Sequence, residues 1–172
     1  STFTPQNSQL PDELVTSLAY SSNGIMWIGT ASGLASIKDS VIEKDTVFPP
    51  YYITCVDVDN NGLVWVGTSG NGCFRRNANG TFTQFNPATT GGALASSDIL
   101  SLHIDGDSVW VGTNGHGLFL YFNSNWSQYY SANHPLGWPI NQVNHIATDA
   151  QDRVWFGTAQ YGLIRQDVSN QY

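Results

Sequence analysis

The chain has 172 residues, 41% hydrophobic and 13% aromatic, with 17 glycines and a formal net charge of -7. That length suits one domain with a sizeable core, and so many glycines favour turns over long helices, which reads as all-β. Only six lysines and arginines are present, spread along the chain without a basic stripe, so nucleic acid, polyanions and an anionic membrane surface are poor partners.

The first residues, "STFTPQNSQLP", have neither the basic region nor the apolar run of a signal peptide, and no stretch approaches the roughly 20 apolar residues of a membrane span. No membrane insertion is expected. A first repeat then begins, and its central segment "MWIGTASGLA" returns as "VWVGTSGNGCF", "VWVGTNGHGLF" and "VWFGTAQYGLI". The tryptophans are Trp27, Trp65, Trp110 and Trp155, spaced by 38, 45 and 45 residues, which is the period of a repeated supersecondary unit.

Before each tryptophan stands a second shared pattern: "VTSLAYSSNG", "ITCVDVDNNG", "ILSLHIDGD" and "VNHIATDAQD". The alternating apolar residues followed by Asp, Asn or Gly predict strand, tight turn, strand. After it come a glycine-bearing turn and a third strand, as in "GLFLYF", then a polar turn and a fourth, as in "GTFTQF" and "NWSQYY". Four short strands in roughly 40 to 45 residues make the blade of a β-propeller. We expect blades near 8–48, 49–86, 87–130 and 131–172, in one propeller domain.

The stretch "LPDELVTSLAYSSNGIMWIGTASGL" resembles the two-component regulator propeller repeat. The resemblance implies a bacterial, extracytoplasmic sensor or binding domain, periplasmic or secreted, and says little about the ligand. A ring of that family usually has about seven blades, against four here, and this chain carries no kinase, receiver or DNA-binding segment.

The fourth unit stops without its outer strand. Residues 1–7 are expected to supply it through Thr2 to Pro5, because an uncovered strand edge invites pairing. Two modes of closure follow. A four-bladed monomer would turn about 90° per blade; blades turning about 50° would fill only half a circle, which an eight-bladed C2 homodimer completes, each chain lending its first strand.

Asp57, Asp59, Asn61 and Gly62 open a D-x-D-x-N-G calcium pattern, but the closing acid is Thr68 instead, and Asp59 aligns with Asp105 and Asp149. A repeated Asx-type turn is the better reading. Of the four histidines, none pairs at a ligand spacing, so no metal site is expected; His103 and His145 fall on first strands as structural residues. Cys73 aligns with Leu34, Leu118 and Leu163, and Cys55 with Ser17, Ser101 and His145. Separated by two strand spacings, the cysteines lie beyond disulfide reach and should be free thiols.

No nucleophile elbow or phosphate-cradling loop is present, so no catalytic residue and no cofactor are expected. What remains is one face, where the long linkers "NPATTGGALAS" and "SANHPLGWPI" meet the turns after the tryptophan strands. His116 sits at the tip of its turn and aligns with Ser32, Asn71 and Tyr161. His116, Asn71 and Tyr161, with Tyr51, His134 and Trp138, form the candidate ligand site, where aromatic rings could stack on sugars or anchor a partner. The function read from the sequence is a non-enzymatic binding or sensor-type propeller recognising a neutral glycan or a protein. The alternatives are a lyase or hydrolase with His116 or His134 as base, and a purely structural assembly module.

Overall fold

A computed structural model describes residues 1–59, 61–129 and 141–166. Its fifteen strands, all antiparallel to their neighbours, form four sheets in simple chain order. The first sheet contains β1 (Val15–Tyr20), β2 (Met26–Thr30), β3 (Gly33–Lys38) and β4 (Val41–Lys44). The second contains β5 (Ile53–Val58), β6 (Val64–Thr68), β7 (Cys73–Arg76) and β8 (Phe82–Phe85). The third contains β9 (Ile99–Asp105), β10 (Ser108–Thr113), β11 (Leu118–Phe122) and β12 (Asn125–Gln128). The fourth has β13 (Val143–Thr148), β14 (Val154–Thr158) and β15 (Leu163–Gln166) among the described residues.

Successive first strands, β1, β5, β9 and β13, pack against one another, and the core lies in the three seams between sheets. Trp27, Phe48, Ile53 and Phe74 fill the first seam, Trp65, Leu94, Ile99 and Phe119 the second, and Trp110, Val143 and Phe156 the third. This explains the continuous apolar run of the tryptophan strands: β6 and β10 are buried along their whole length because each is covered on both faces.

Two devices recur in every sheet. The ladder between the first two strands slips by one residue between Val15 and Ser17, Ile53 and Cys55, Ile99 and Ser101, and Val143 and His145. A bulge of this kind adds local twist to a strand. The threonine ending each second strand turns its hydroxyl back to donate to a glycine carbonyl: Thr30 to Gly33, Thr68 to Gly72, Thr113 to Gly117 and Thr158 to Gly162.

The N-terminal expectation fails. Residues 1–7 form no strand, and β15 pairs only with β14 among the described residues. Thr4 N donates to Asn7 Oδ1 at 2.7 Å, while Asn7 N and Ser8 N return to the Thr4 carbonyl. These local bonds fold the segment into a turn beside the first sheet, where Leu10 packs with Ile28, Ala35 and Ile42.

Candidate functional site

The tips between second and third strands are knitted to the linkers, in part to the one that enters the next sheet and in part to the one that enters their own. Gly72 N donates to the Ser97 carbonyl, Asn114 N to that of Asp98, and Gly115 N and Gly117 N both to that of Asn141. Ala159 N bonds the Gln142 carbonyl, and Asn114 and Gln142 form an isolated bridge. Tips and linkers therefore build one face. At the third and fourth tips this face holds a hollow of about 100 Å³ lined by Asn114, Gly115, Asn141, Gln142, Gln160 and Tyr161.

His116 stands exposed at the rim of that region, its backbone fixed on both sides. Its N–H donates to Thr113 Oγ1 at 3.2 Å and its carbonyl accepts from Gln128 Nε2 at 2.8 Å. Tyr161 N donates in the same way to Thr158 Oγ1, so the repeat places the two side chains on equivalent tips. Asn71 lies on the second tip, where its carbonyl accepts from Gln84 Nε2. Tyr51 is packed away from this group, 5.9 Å from the Phe74 ring and 6.3 Å from that of Phe48. His134 and Trp138 fall outside the described residues.

The four lining amides, Asn114, Asn141, Gln142 and Gln160, were not singled out by sequence reasoning, because amide side chains carry no spacing rule of their own. A signal did exist: Asn141 and Gln142 immediately precede a first strand, where the seam forces a linker against the tip.

Along the axis the first strands are tied by side chains that accept backbone N–H groups across each seam. Val56 N donates to Ser17 Oγ at 2.9 Å, Ile104 N to Asp57 Oδ2 at 3.0 Å and Thr148 N to His103 Nε2 at 3.2 Å. His103 Nε2 also lies 2.9 Å from Thr148 Oγ1, so this ring ties two first strands together as a structural residue. Burial raises the Asp57 carboxyl above its ordinary value against these N–H donors. The calcium-like run is a turn: Asp59 Oδ1 accepts Asn61 N and Leu63 N, as Asp149 Oδ1 accepts Gln151 N and Arg153 N. Cys55 and Cys73 are free, and burial pushes the Cys55 thiol up to about 12 and that of Cys73 higher still. Neither is an activated nucleophile.

Residues 9–32, 48–70 and 137–160 match the profile of the two component regulator propeller family. Three of the chain's repeats are two-component regulator propeller repeats. Its third repeat is not among the matched segments, and it departs from the others in its first hairpin: β9 and β10 are joined by Gly106 and Asp107 alone, whereas five residues separate β1 from β2.

Solved structures agree on the fold of this propeller. The extracellular domain of a proposed one component system of B. thetaiotaomicron, BT4673, superposes with a TM-score of 0.77 at 22% identity over 96% of the chain. That of a proposed hybrid two component system of the same organism, BT3049, gives 0.73 at 24% identity over 95%. The chain spans less than a quarter of either, 23% and 22%. The computationally designed Ika4 protein is matched over 94% of this chain and 96% of its own, with a TM-score of 0.67 and 16% identity. No curated protein sequence matches.

Proposed function

We propose that this propeller is a non-enzymatic binding module of the sensor type, working outside the cytoplasm, and that its loop face holds a neutral, hydroxyl-rich ligand such as a glycan. The observation that carries this is the amide-lined hollow beside Tyr161. Asn and Gln side chains each offer a donor and an acceptor, which suits vicinal hydroxyls, while the phenol ring gives an apolar face against which a sugar can lie. Extracellular sensor domains of the same fold support the location and the class. A closed ring belongs to this reading, completed by one chain or by two.

A glycan array followed by calorimetry tests it. A hit whose affinity drops at least tenfold in Tyr161→Ala and Gln142→Ala supports the reading. Binding to a peptide array alone would move the assignment to a protein partner. Turnover of an esterified or glycosidic substrate that disappears in His116→Ala would replace it with an enzyme.

A further inference from the structure

The second seam holds a hollow of about 150 Å³, lined by Asp59, Leu63, Trp65 and Arg75 of the second sheet and, across the seam, by Asp107 and Tyr121. It lies at the turns that join first to second strands, so the length of β6 separates it from the tips. Two donors on its wall are unused. Trp65 is 2% exposed, and its Nε1 and Arg75 Nε are buried without a hydrogen-bond partner, although buried donors are nearly always satisfied.

The fourth sheet shows what completes such a set. Asp149, Trp155 and Arg165 are the equivalents of Asp59, Trp65 and Arg75. Each aspartate holds the same turn, and each arginine pairs in register with its tryptophan and lies over that ring at 5.8 Å. In the fourth sheet a second arginine, Arg153, puts its Nε 2.6 Å from Asp149 Oδ2, which also accepts Trp155 Nε1 at 2.7 Å. In the second sheet Leu63 occupies the place of Arg153, since both donate their backbone N–H to the turn aspartate. Among the described residues the Asp59 carboxylate therefore has no cation, its Oδ2 has no hydrogen bond, and Trp65 Nε1 has no acceptor.

We propose that this hollow binds a compact zwitterion, a free α-amino acid. Its ammonium stands beside Asp59 and Asp107, where the fourth sheet has the Arg153 guanidinium, and its carboxylate accepts from Arg75 and Trp65. Charge decides the class. Arg75, Asp59 and Asp107 are in no ion pair with a described residue, so the lining offers unpaired charges of both signs. A simple anion would meet two carboxylates, a simple amine would meet a guanidinium, and a neutral polyol would leave all three charges unanswered. Leu63, Val109 and the Tyr121 ring give an aliphatic side chain an apolar wall. The volume is below the roughly 300 Å³ at which drug-sized pockets begin, which limits the ligand to a few heavy atoms. The site is separate from the loop face and does not rest on the glycan reading.

Calorimetric titration of the 172-residue protein with L-alanine and L-leucine tests it, with ethylamine, propionate and glycerol each supplying one part of the chemistry. One of the amino acids should bind at least about tenfold more tightly than any of the three. Leu63→Arg supplies the missing guanidinium from the chain itself, as the fourth sheet does, and should lower that affinity at least about tenfold without lowering the melting temperature. Asp107→Asn, on an exposed turn, should weaken binding as well and serves where Leu63→Arg does not fold. No heat from either amino acid at about 10 mM, ten times a millimolar Kd, overturns the proposal. Propionate or glycerol binding as tightly as the amino acids overturns it too, and assigns the hollow to anions or polyols. Affinity unchanged in both folded variants places the amino acid elsewhere and overturns it equally.

Discussion

Gly112 lies against Val143 with only the width of a hydrogen between them: a β-carbon there would stand 2.6 Å from the Val143 carbonyl oxygen and 2.9 Å from its Cγ1. The glycine of the Trp-x-Gly-Thr strand is thus required by the neighbouring sheet, since nothing in its own backbone forbids a side chain. Gly112→Ala should destabilise the fold by about 1–3 kcal/mol, the usual cost of overpacking, because the closest obstacles include backbone that cannot rotate away. Urea unfolding checks it. A loss below about 0.5 kcal/mol would mean that the third seam opens easily.

Thr113 bears on the candidate site through the shape of a loop. Its hydroxyl, fully buried, donates to Gly117 O at 2.8 Å and accepts His116 N at 3.2 Å. Thr113→Val keeps the volume and removes both bonds, so we expect a loss of about 1–3 kcal/mol. His116 amide exchange should accelerate as well, because its N–H loses its acceptor. Hydrogen exchange read at that residue, alongside thermal melting of the variant, measures both effects.

Arg76 links the first two sheets on the outer side. Its Nε donates to Asp45 Oδ2 at 3.1 Å, and its guanidinium lies over the Trp27 ring at 5.3 Å. Asp45 is nearly buried while Arg76 is about a third exposed, so water screens part of the pair. Arg76→Met retains the aliphatic contact with Trp27 and strands the carboxylate, which should cost about 1–2 kcal/mol. The double variant Arg76→Met, Asp45→Asn should recover part of that loss in chemical denaturation; no recovery would assign the effect to packing on Trp27 alone.

The blades were legible in the sequence because each carries its pattern twice, as alternation in the first strand and as the Trp-x-Gly-Thr run in the second. Equivalence across repeats also identified the Asp59 and Asp149 turns and the shared tip position of His116 and Tyr161. The bulge in every first strand was not legible, since it shifts pairing without changing residue type. The role of residues 1–7 was misread for a related reason: Phe3 aligned well with an outer strand, but the local bonds of Asn7 and Thr4 decide the backbone there. The amide-lined hollow arises from three segments, 114–115, 141–142 and 160–161, that only the packing of the third and fourth sheets brings together.

Asp149 makes the acid side of the stability curve testable. Its Oδ2 accepts from Trp155 Nε1 at 2.7 Å and Arg153 Nε at 2.6 Å, and its Oδ1 from Gln151 N and Arg153 N. Desolvation alone would raise this carboxyl; the four donors overcome it and hold it well below its ordinary value of 3.8. A group with a depressed folded-state pKa contributes stability that is complete above its unfolded pKa and disappears as pH falls through the folded one. Asp12, also lowered by hydrogen bonds from Leu14 N and Ser32 Oγ, acts with the same sign. Asp57, raised by burial, acts with the opposite sign, its ionisation opposing folding as pH climbs past 3.8. Stability of the parent should therefore fall as pH drops below about 4. Asp149→Asn, with one acceptor oxygen for four donors, should be less stable at pH 7 and show a shallower acid decline. Urea midpoints at pH 7, 4 and 3 for both proteins decide it, and parallel curves would show that Asp149 contributes nothing to the acid transition.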